Sequence, residues 1–377
     1  SNINMKSIKL VSLGSCVGGF IFLLLEIIFR IFFPVPMEPG VKLTLNNEIP
    51  GIRSEVPYNF DGYRLRKANW ADEKKGDSIR ILCFGGNATT TVFQKSEDTW
   101  WGKLADRISK DTGKNIEVGA MAKTSNGQLI LPSFVNAEKI IERHDPDLIV
   151  CCYGFGDTLH YEDYVYNRDK INLLRKGKPR GLKYSLAKIS HMMRLMRNKK
   201  TRRHLKEAWK PLKVSNYHRD LLFRDRLYYK SCPELDYIKR DEHDPLNEFI
   251  DGIKAFSELA TKNGCKLLVI GEPSIHRPNL GKEELSLMTS VYYPAKPVPG
   301  KGSGHRVRPE TIALELQRFY TAASEYCGQN AIKWINLHGM IPQTIEYFLG
   351  ETDVTDVGAS EMADKLMPAL TNIINDL

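Results

Sequence analysis

The sequence predicts an α/β fold, a three-layer α/β/α sandwich with a mainly parallel five-stranded sheet, preceded by one transmembrane helix. From residue 79 onward, short apolar runs alternate with amphipathic segments of helical spacing, a pattern typical of a parallel sheet covered by helices. An apolar run of 24 residues lies upstream and is long enough to cross a bilayer. The hydrophobic and charged fractions, 42% and 26%, exclude bulk disorder.

Five short apolar runs bounded by turn residues are predicted as buried strands. They cover 79–84, 116–119, 148–153, 266–270 and 332–337. Segments of helical spacing predict helices at 100–108, 134–143, 246–263, 309–326 and 358–374. In such sheets the working site lies beyond the carboxyl ends of the strands, so we expect functional residues just after the strands.

Residues 10–33 are predicted to be a retained membrane anchor, because prolines follow the run in place of a small-residue cleavage site. An uncleaved secretion signal is the alternative. Glu26 and Arg30 lie four residues apart near one end, where they either pair within the lipid or reach the interface. Lys6 and Lys9 precede the run, which favours a cytoplasmic N-terminus and a periplasmic main domain.

Small residues on one face of this segment would let a second helix approach closely, although such spacings also occur by chance. A transmembrane protein partner in a larger complex is expected on this basis. The small residues are Gly14, Ser15, Gly18 and Gly19.

The predicted regions are a tail at 1–9, the anchor, a linker with short strands at 34–78, and a main domain at 79–377. A basic helical insertion is expected at about 165–230. The chain has seven cysteines, which give no simple disulfide count, and only Cys232 and Cys327 are expected to be free enough to bond.

The insertion concentrates the positive charge of a chain whose net charge is +9. Residues 168–230 hold 21 lysines or arginines and four acidic residues. Beside a membrane, this surface suits anionic lipid headgroups or an acidic protein partner, and a solvated surface is the simplest alternative. Nucleic acid is not expected as a partner of an extracytoplasmic domain. The densest basic group comprises Arg197, Lys199, Lys200, Arg202 and Arg203.

Short motifs follow one another along nearly the whole chain. They are NFDGYR at 59–64, IRILCFGG at 79–86, DPDLIV at 145–150, GEPS at 271–274 and TDVGA at 355–359. Their order and spacing, with the end of the anchor, resemble the membrane-anchored bacterial members of the SGNH (GDSL-type) hydrolase family. The resemblance implies an esterase mechanism. A serine after the first strand attacks, a histidine near the C-terminus acts as base, and an aspartate orients it. Two amides and an asparagine hold the oxyanion.

This chain departs from the family pattern at every one of these positions. Asn87 replaces the serine, and an amide is no oxygen nucleophile. Ala122 and Gly156 replace the oxyanion glycine and asparagine, while Gly350 and Asp353 replace the orienting aspartate and the histidine. The resemblance therefore predicts a degenerate, non-catalytic site. No metal-ligand spacing surrounds the histidines, so neither a metal nor a cofactor is expected.

Three functions stay open at the level of sequence. The favoured one is a structural or assembly subunit of an integral membrane complex. The second is an active esterase or O-acetyl-transfer enzyme on cell-envelope glycans, which requires a rearranged site. The third is a non-catalytic glycan-binding module that uses the old pocket.

Overall fold

The strands of the fold belong to one large sheet and one small ribbon. In the computed structural model, the described residues are 65–71, 74, 76–91, 93–121, 129–159, 226–227, 229–238, 244–290 and 304–377. Within them the strands are β1 (Leu65–Ala68), β2 (Ser78–Gly85), β3 (Asn115–Met121), β4 (Leu148–Tyr153), β5 (Glu234–Leu235), β6 (Lys266–Gly271), β7 (Arg306–Val307) and β8 (Lys333–Asn336). Six of them form one sheet in the order β1-β3-β2-β4-β6-β8, and β5 pairs with β7.

The helices of the described residues alternate with these strands. They are α1 (Asn87–Thr90), α2 (Trp100–Thr112), α3 (Ile130–His144), α4 (Phe155–Thr158), α5 (Pro245–Lys262), α6 (Lys282–Leu285), α7 (Pro309–Gln329) and α8 (Asp356–Asn375). The five long helices lie where the sequence predicts them, although α3 begins four residues before the predicted start at 134.

The main sheet has six strands, so the prediction of five is wrong by one. The additional strand, β1, runs antiparallel to β3 at the edge of the sheet, with Leu65 opposite Met121 and Ala68 opposite Val118. Its sequence, Leu-Arg-Lys-Ala, lacks the apolar run that identifies the other strands. The fully buried residue Arg66 holds this strand through hydrogen bonds that no local pattern reveals.

The three-layer arrangement is confirmed by the two apolar clusters on either side of the sheet. The strands β3, β2, β4, β6 and β8 are all parallel to their neighbours. Buried residues of α3, α5 and α7 pack on one face, and those of α2 and α8 pack on the other. Because both faces are covered, the central strands are apolar along nearly their whole length.

Capping residues fix the ends of the helices that cover the sheet. The Thr99 side chain accepts a hydrogen bond from the Gly102 amide at the start of α2, and Gly113 ends that helix with a φ of 71°. Asp244 caps α5 ahead of its first residue, Pro245, and Thr355 caps α8.

Several sequence predictions fall outside the described residues: the anchor at 10–33 with its small residues and charge pair, Ala122, and the dense basic group at 197–203. Among the described residues, no helix combines the length and apolar character needed to cross a membrane. Cys232 and Cys327, expected to be free enough to bond, are both buried, and neither forms a disulfide among the described residues.

Candidate functional site

Four of the five family-pattern positions lie at the carboxyl end of the sheet, as predicted. Asn87 is the first residue of α1, directly after β2, and Gly156 lies in α4, directly after β4. Gly350 and Asp353 share the loop before α8, where a Cβ built on Gly350 would lie 3.1 Å from Asp353 Oδ2. The Leu349 amide donates to the Asp353 carbonyl over 2.8 Å, which closes this loop into a tight turn.

Glu272 is a site residue to which the sequence analysis assigned no role. It follows β6, and its Oε1 accepts a hydrogen bond of 3.1 Å from the Ala88 amide in the first turn of α1. A Cβ built on Gly86 would lie 2.5 Å from the same oxygen, so only glycine permits this approach. The buried Glu272 side chain therefore caps the turn that presents Asn87.

Arg66 occupies the other end of α1. Its Nη1 donates to the carbonyls of Thr90 and Thr91 over 2.7 and 2.9 Å, and its Nη2 donates to the carbonyl of Gln94 over 2.6 Å. A cation at the C-terminal end complements the helix dipole. The turn carrying Asn87 is thus held from both ends by side chains distant in sequence.

The carboxyl groups around Asn87 carry raised pKa values. Burial raises the pKa of Glu272 to about 8, and the charges of Asp157 and Asp353 add to the rise. Burial, together with the charge of Glu351, raises the pKa of Asp353 to about 6. Burial also raises the pKa of Asp157, whose Oδ1 accepts from the Ile130 amide, well above its usual range. Each of these three buried carboxyl groups therefore favours its neutral form.

A buried serine, histidine and glutamate form an array beside this site, in which the serine and the histidine are hydrogen-bonded. Ser274 Oγ lies 2.6 Å from His276 Nδ1, and His276 Nε2 lies 3.4 Å from Glu351 Oε1. His276 lies in the loop that follows β6, and it is fully buried. Nothing local to GEPSIH signals this, because Glu351 reaches it from another loop.

The charge state of the array follows from the groups around Glu351. Burial alone would raise the pKa of Glu351, but hydrogen bonds from His276, Ser290 and Thr289 hold it below its usual range. The Ser290 and Thr289 amides donate to its Oε2 over 2.8 and 3.2 Å. Burial, aided by nearby His276, lowers the pKa of His338 to about 4 and keeps that imidazole neutral.

The order of groups in the array is that of nucleophile, base and orienting acid. The ring of Phe155 stacks on that of His276 at a centroid distance of 5.2 Å. Gln343 Nε2 donates to the carbonyls of Ser274 and His276 over 2.8 and 2.7 Å. Packing and hydrogen bonds thus fix the orientation of the imidazole. No group of side chains that could hold a metal occurs in the part of the chain that the structure describes.

Comparisons with known proteins give similarities of fold only. No protein family model and no curated protein matches the chain. The crystal structure of TesA covers 78% of this chain and 99% of its own, at 10% identity and a TM-score of 0.41. An acetyl xylan esterase covers 78% and 100%, at 12% identity and a TM-score of 0.40. A GDSL-like lipase from Bacteroides thetaiotaomicron covers 82% and 93%, at 13% identity and a TM-score of 0.39. Similarities of this size assign neither residue roles nor activity.

Proposed function

We propose that this chain is a membrane-anchored, SGNH-hydrolase-like protein without ester hydrolysis at the family's catalytic positions. Its role is that of a structural or assembly subunit of an integral membrane complex. The observation that carries the proposal is the buried Glu272 carboxyl on the amide of Ala88, the residue that follows Asn87. An acidic group occupies the turn where acyl transfer would have to stabilise a developing negative charge.

Electrostatics supports the absence of acyl transfer. An oxyanion hole offers free donors to negative charge, and losing one such donor costs about 3 kcal/mol of transition-state stabilisation. Here Gly156 has no side chain to donate, and the Glu272 carboxyl lies close to the nucleophile position, on the amide of the next residue, Ala88. Burial, with the charges of Asp157 and Asp353, raises the pKa of Glu272 to about 8, so negative charge on this side chain is disfavoured.

Asp353, at the position of the family's base, is basic but has no nucleophile to activate. A pKa raised to about 6 makes Asp353 nearly as basic as a histidine. A base alone achieves nothing without a hydroxyl or thiol from which to take a proton. The amide side chain of Asn87 offers neither, so the nucleophile is the missing component.

Ester hydrolysis by the full chain tests the loss of catalysis. We expect 4-nitrophenyl acetate to be hydrolysed no faster than by heat-denatured protein. A restored variant with Asn87→Ser, Gly156→Asn, Gly350→Asp, Asp353→His and Glu272→Gln should gain at least about tenfold in rate. Hydrolysis by the native chain that Asn87→Ala abolishes would overturn the proposal. A folded but inert restored variant would refute the match of these positions to the family.

The subunit role rests on the predicted anchor at 10–33, with its small residues, and on the basic insertion. Purification of the native chain from membranes in mild detergent tests it. We expect one or more membrane proteins to co-purify in fixed stoichiometry. A Gly14→Leu/Gly18→Leu variant should lose them, whereas Val11→Leu, in the same segment, should retain them. Recovery of the native chain alone would contradict the role.

The Ser274 array favours a second candidate, an esterase with a relocated site. Ser274 Oγ would attack the acyl carbon and pass its proton to His276 Nδ1, while Glu351 holds the opposite nitrogen. The leaving alcohol would then take that proton. Ser274 and His276 are both fully buried, which argues against access for an ester. Hydrolysis that survives Asn87→Ala and disappears with Ser274→Ala would establish this candidate.

A further inference from the structure

A groove of about 680 Å³ lies at the amino end of β3, at the end of the sheet opposite Asn87. Its polar lining includes Asn69, Trp70, Ser109, Asn115 and Glu117. Asn69 and Trp70 directly follow β1, Ser109 belongs to α2, and Asn115 and Glu117 belong to β3. The sequence analysis assigned no function to any of them, and the proposed function does not involve them.

The groove exists because the pairing of β1 with β3 stops short of the amino end of β3. Their pairing stops at Ala68 opposite Val118, and the next residue, Asn69, adopts a left-handed φ of 51°. The chain therefore turns away and leaves the first residues of β3 without a strand neighbour on that side among the described residues. The Ile116 amide donates to Ser109 Oγ over 3.3 Å instead.

Two buried polar atoms in the lining have no hydrogen-bond partner among the described residues. One is Oε1 of Glu117, a side chain only 1% exposed, and the other is Nε1 of Trp70. The second oxygen of Glu117 is paired with Arg80 Nε. Arg80 Nη1 and Nη2 donate to the carbonyls of His144 and Ala71, over 3.0 and 2.7 Å.

The unpartnered acceptor and donor define the chemistry of a ligand. A buried polar atom without a partner is costly, so such a pair indicates groups supplied from outside. A hydroxyl both donates and accepts, so a ligand rich in hydroxyls can serve the acceptor Glu117 Oε1 as well as the donor Trp70 Nε1. Arg80 already balances the charge of Glu117, so the groove does not require a charged ligand.

Trp70 offers a ligand its indole N–H more than its aromatic face, because cationic side chains already lie near that face. Arg80 lies over the indole at 4.7 Å from the ring centroid, and Lys67 Nζ lies at 5.6 Å. We propose that this groove binds a neutral, polyhydroxylated ligand of the carbohydrate class. This groove is separate from the site beside Asn87, and the proposal for it does not depend on whether the chain is an esterase.

Binding of three neutral disaccharides to the full chain in detergent tests this site. The probes are maltose, cellobiose and N,N′-diacetylchitobiose, followed by saturation-transfer NMR up to about 20 mM. We expect at least one to bind. Trp70→Phe, which keeps the ring and removes the N–H, should weaken it about fivefold. Asn115→Ala, at an exposed position away from the Arg80 pair, should also weaken it, and the matched control Trp334→Phe should not.

Three results would overturn the inference. The first is that none of the three disaccharides binds. The second is a disaccharide that binds with unchanged affinity to Trp70→Phe and Asn115→Ala but does not bind to Asn87→Ala. The ligand would then occupy the opposite end of the sheet. The third is displacement of the sugar by inorganic phosphate in the native chain but not in Trp70→Phe, which would make the groove an anion site.

Discussion

Glu272 is the residue on which the character of the candidate site depends most. Its carboxyl is buried, it caps the turn at Asn87, and its pKa is raised from 4.5 to about 8. The folded chain therefore keeps this proton over a range of pH in which the unfolded chain has lost it. The contribution of Glu272 to stability is largest below about pH 4.5 and falls as the pH rises to about 8.

Replacement of Glu272 by glutamine tests this dependence. Glutamine keeps an oxygen for the Ala88 amide and cannot ionise, so Glu272→Gln should remove part of the loss of stability at high pH. By calorimetry we expect similar Tm values near pH 4.5 and a variant Tm higher by roughly 5 °C near pH 9. The control Glu361→Gln, on the surface of α8, should follow the native chain. Parallel pH profiles for the native and Glu272→Gln chains would show that Glu272 is not buried as a proton-bearing acid.

The sequence locates the site only in part. Motif order identifies Asn87, Gly156, Gly350 and Asp353, and each described position lies at the carboxyl end of a strand or in the loop before α8. It gives no role to Glu272, because the Ala88 amide that it binds is 184 residues away. The Ser274 array escapes prediction for the same reason, since Glu351 joins it only through the fold.

At the scale of elements, α1 shows how a four-residue helix can be stable without helical spacing in its sequence. A segment this short does not form a helix alone. Arg66 at one end and Glu272 at the other supply partners for its terminal carbonyls and an amide. The indole nitrogens of Trp100 and Trp101 donate to the carbonyls of Ala88 and Thr89, each over 3.0 Å.

Strands and long helices differ from α1 because local sequence determines them. Parallel strands covered on both faces must be apolar, so the runs in β2, β4 and β6 identify them directly. The long helices are identified in the sequence by apolar residues at helical spacing and by capping residues such as Thr99 and Asp244. The strand β1 lacks such a pattern because Leu65 is its only fully buried apolar residue, and hydrogen bonds of the buried Arg66 help to hold it in place.

At the scale of the whole molecule, the two ends of the sheet differ in chemistry. The carboxyl end gathers buried acids around Asn87, with no oxygen nucleophile at that position. The amino end holds an open groove with an unpartnered donor and acceptor. This division agrees with the proposed role in binding and assembly, and the anchor predicted at 10–33 would keep the domain beside a membrane.

Reaction of the full chain with a fluorophosphonate, followed by intact mass spectrometry, tests the central claim most directly. Such reagents form a covalent bond with a serine that a neighbouring base activates. The account predicts no adduct on the folded native chain and an adduct on the restored variant that carries Asn87→Ser. A stoichiometric adduct on the native chain would contradict it, and loss of that adduct in Ser274→Ala would locate the nucleophile in the buried array.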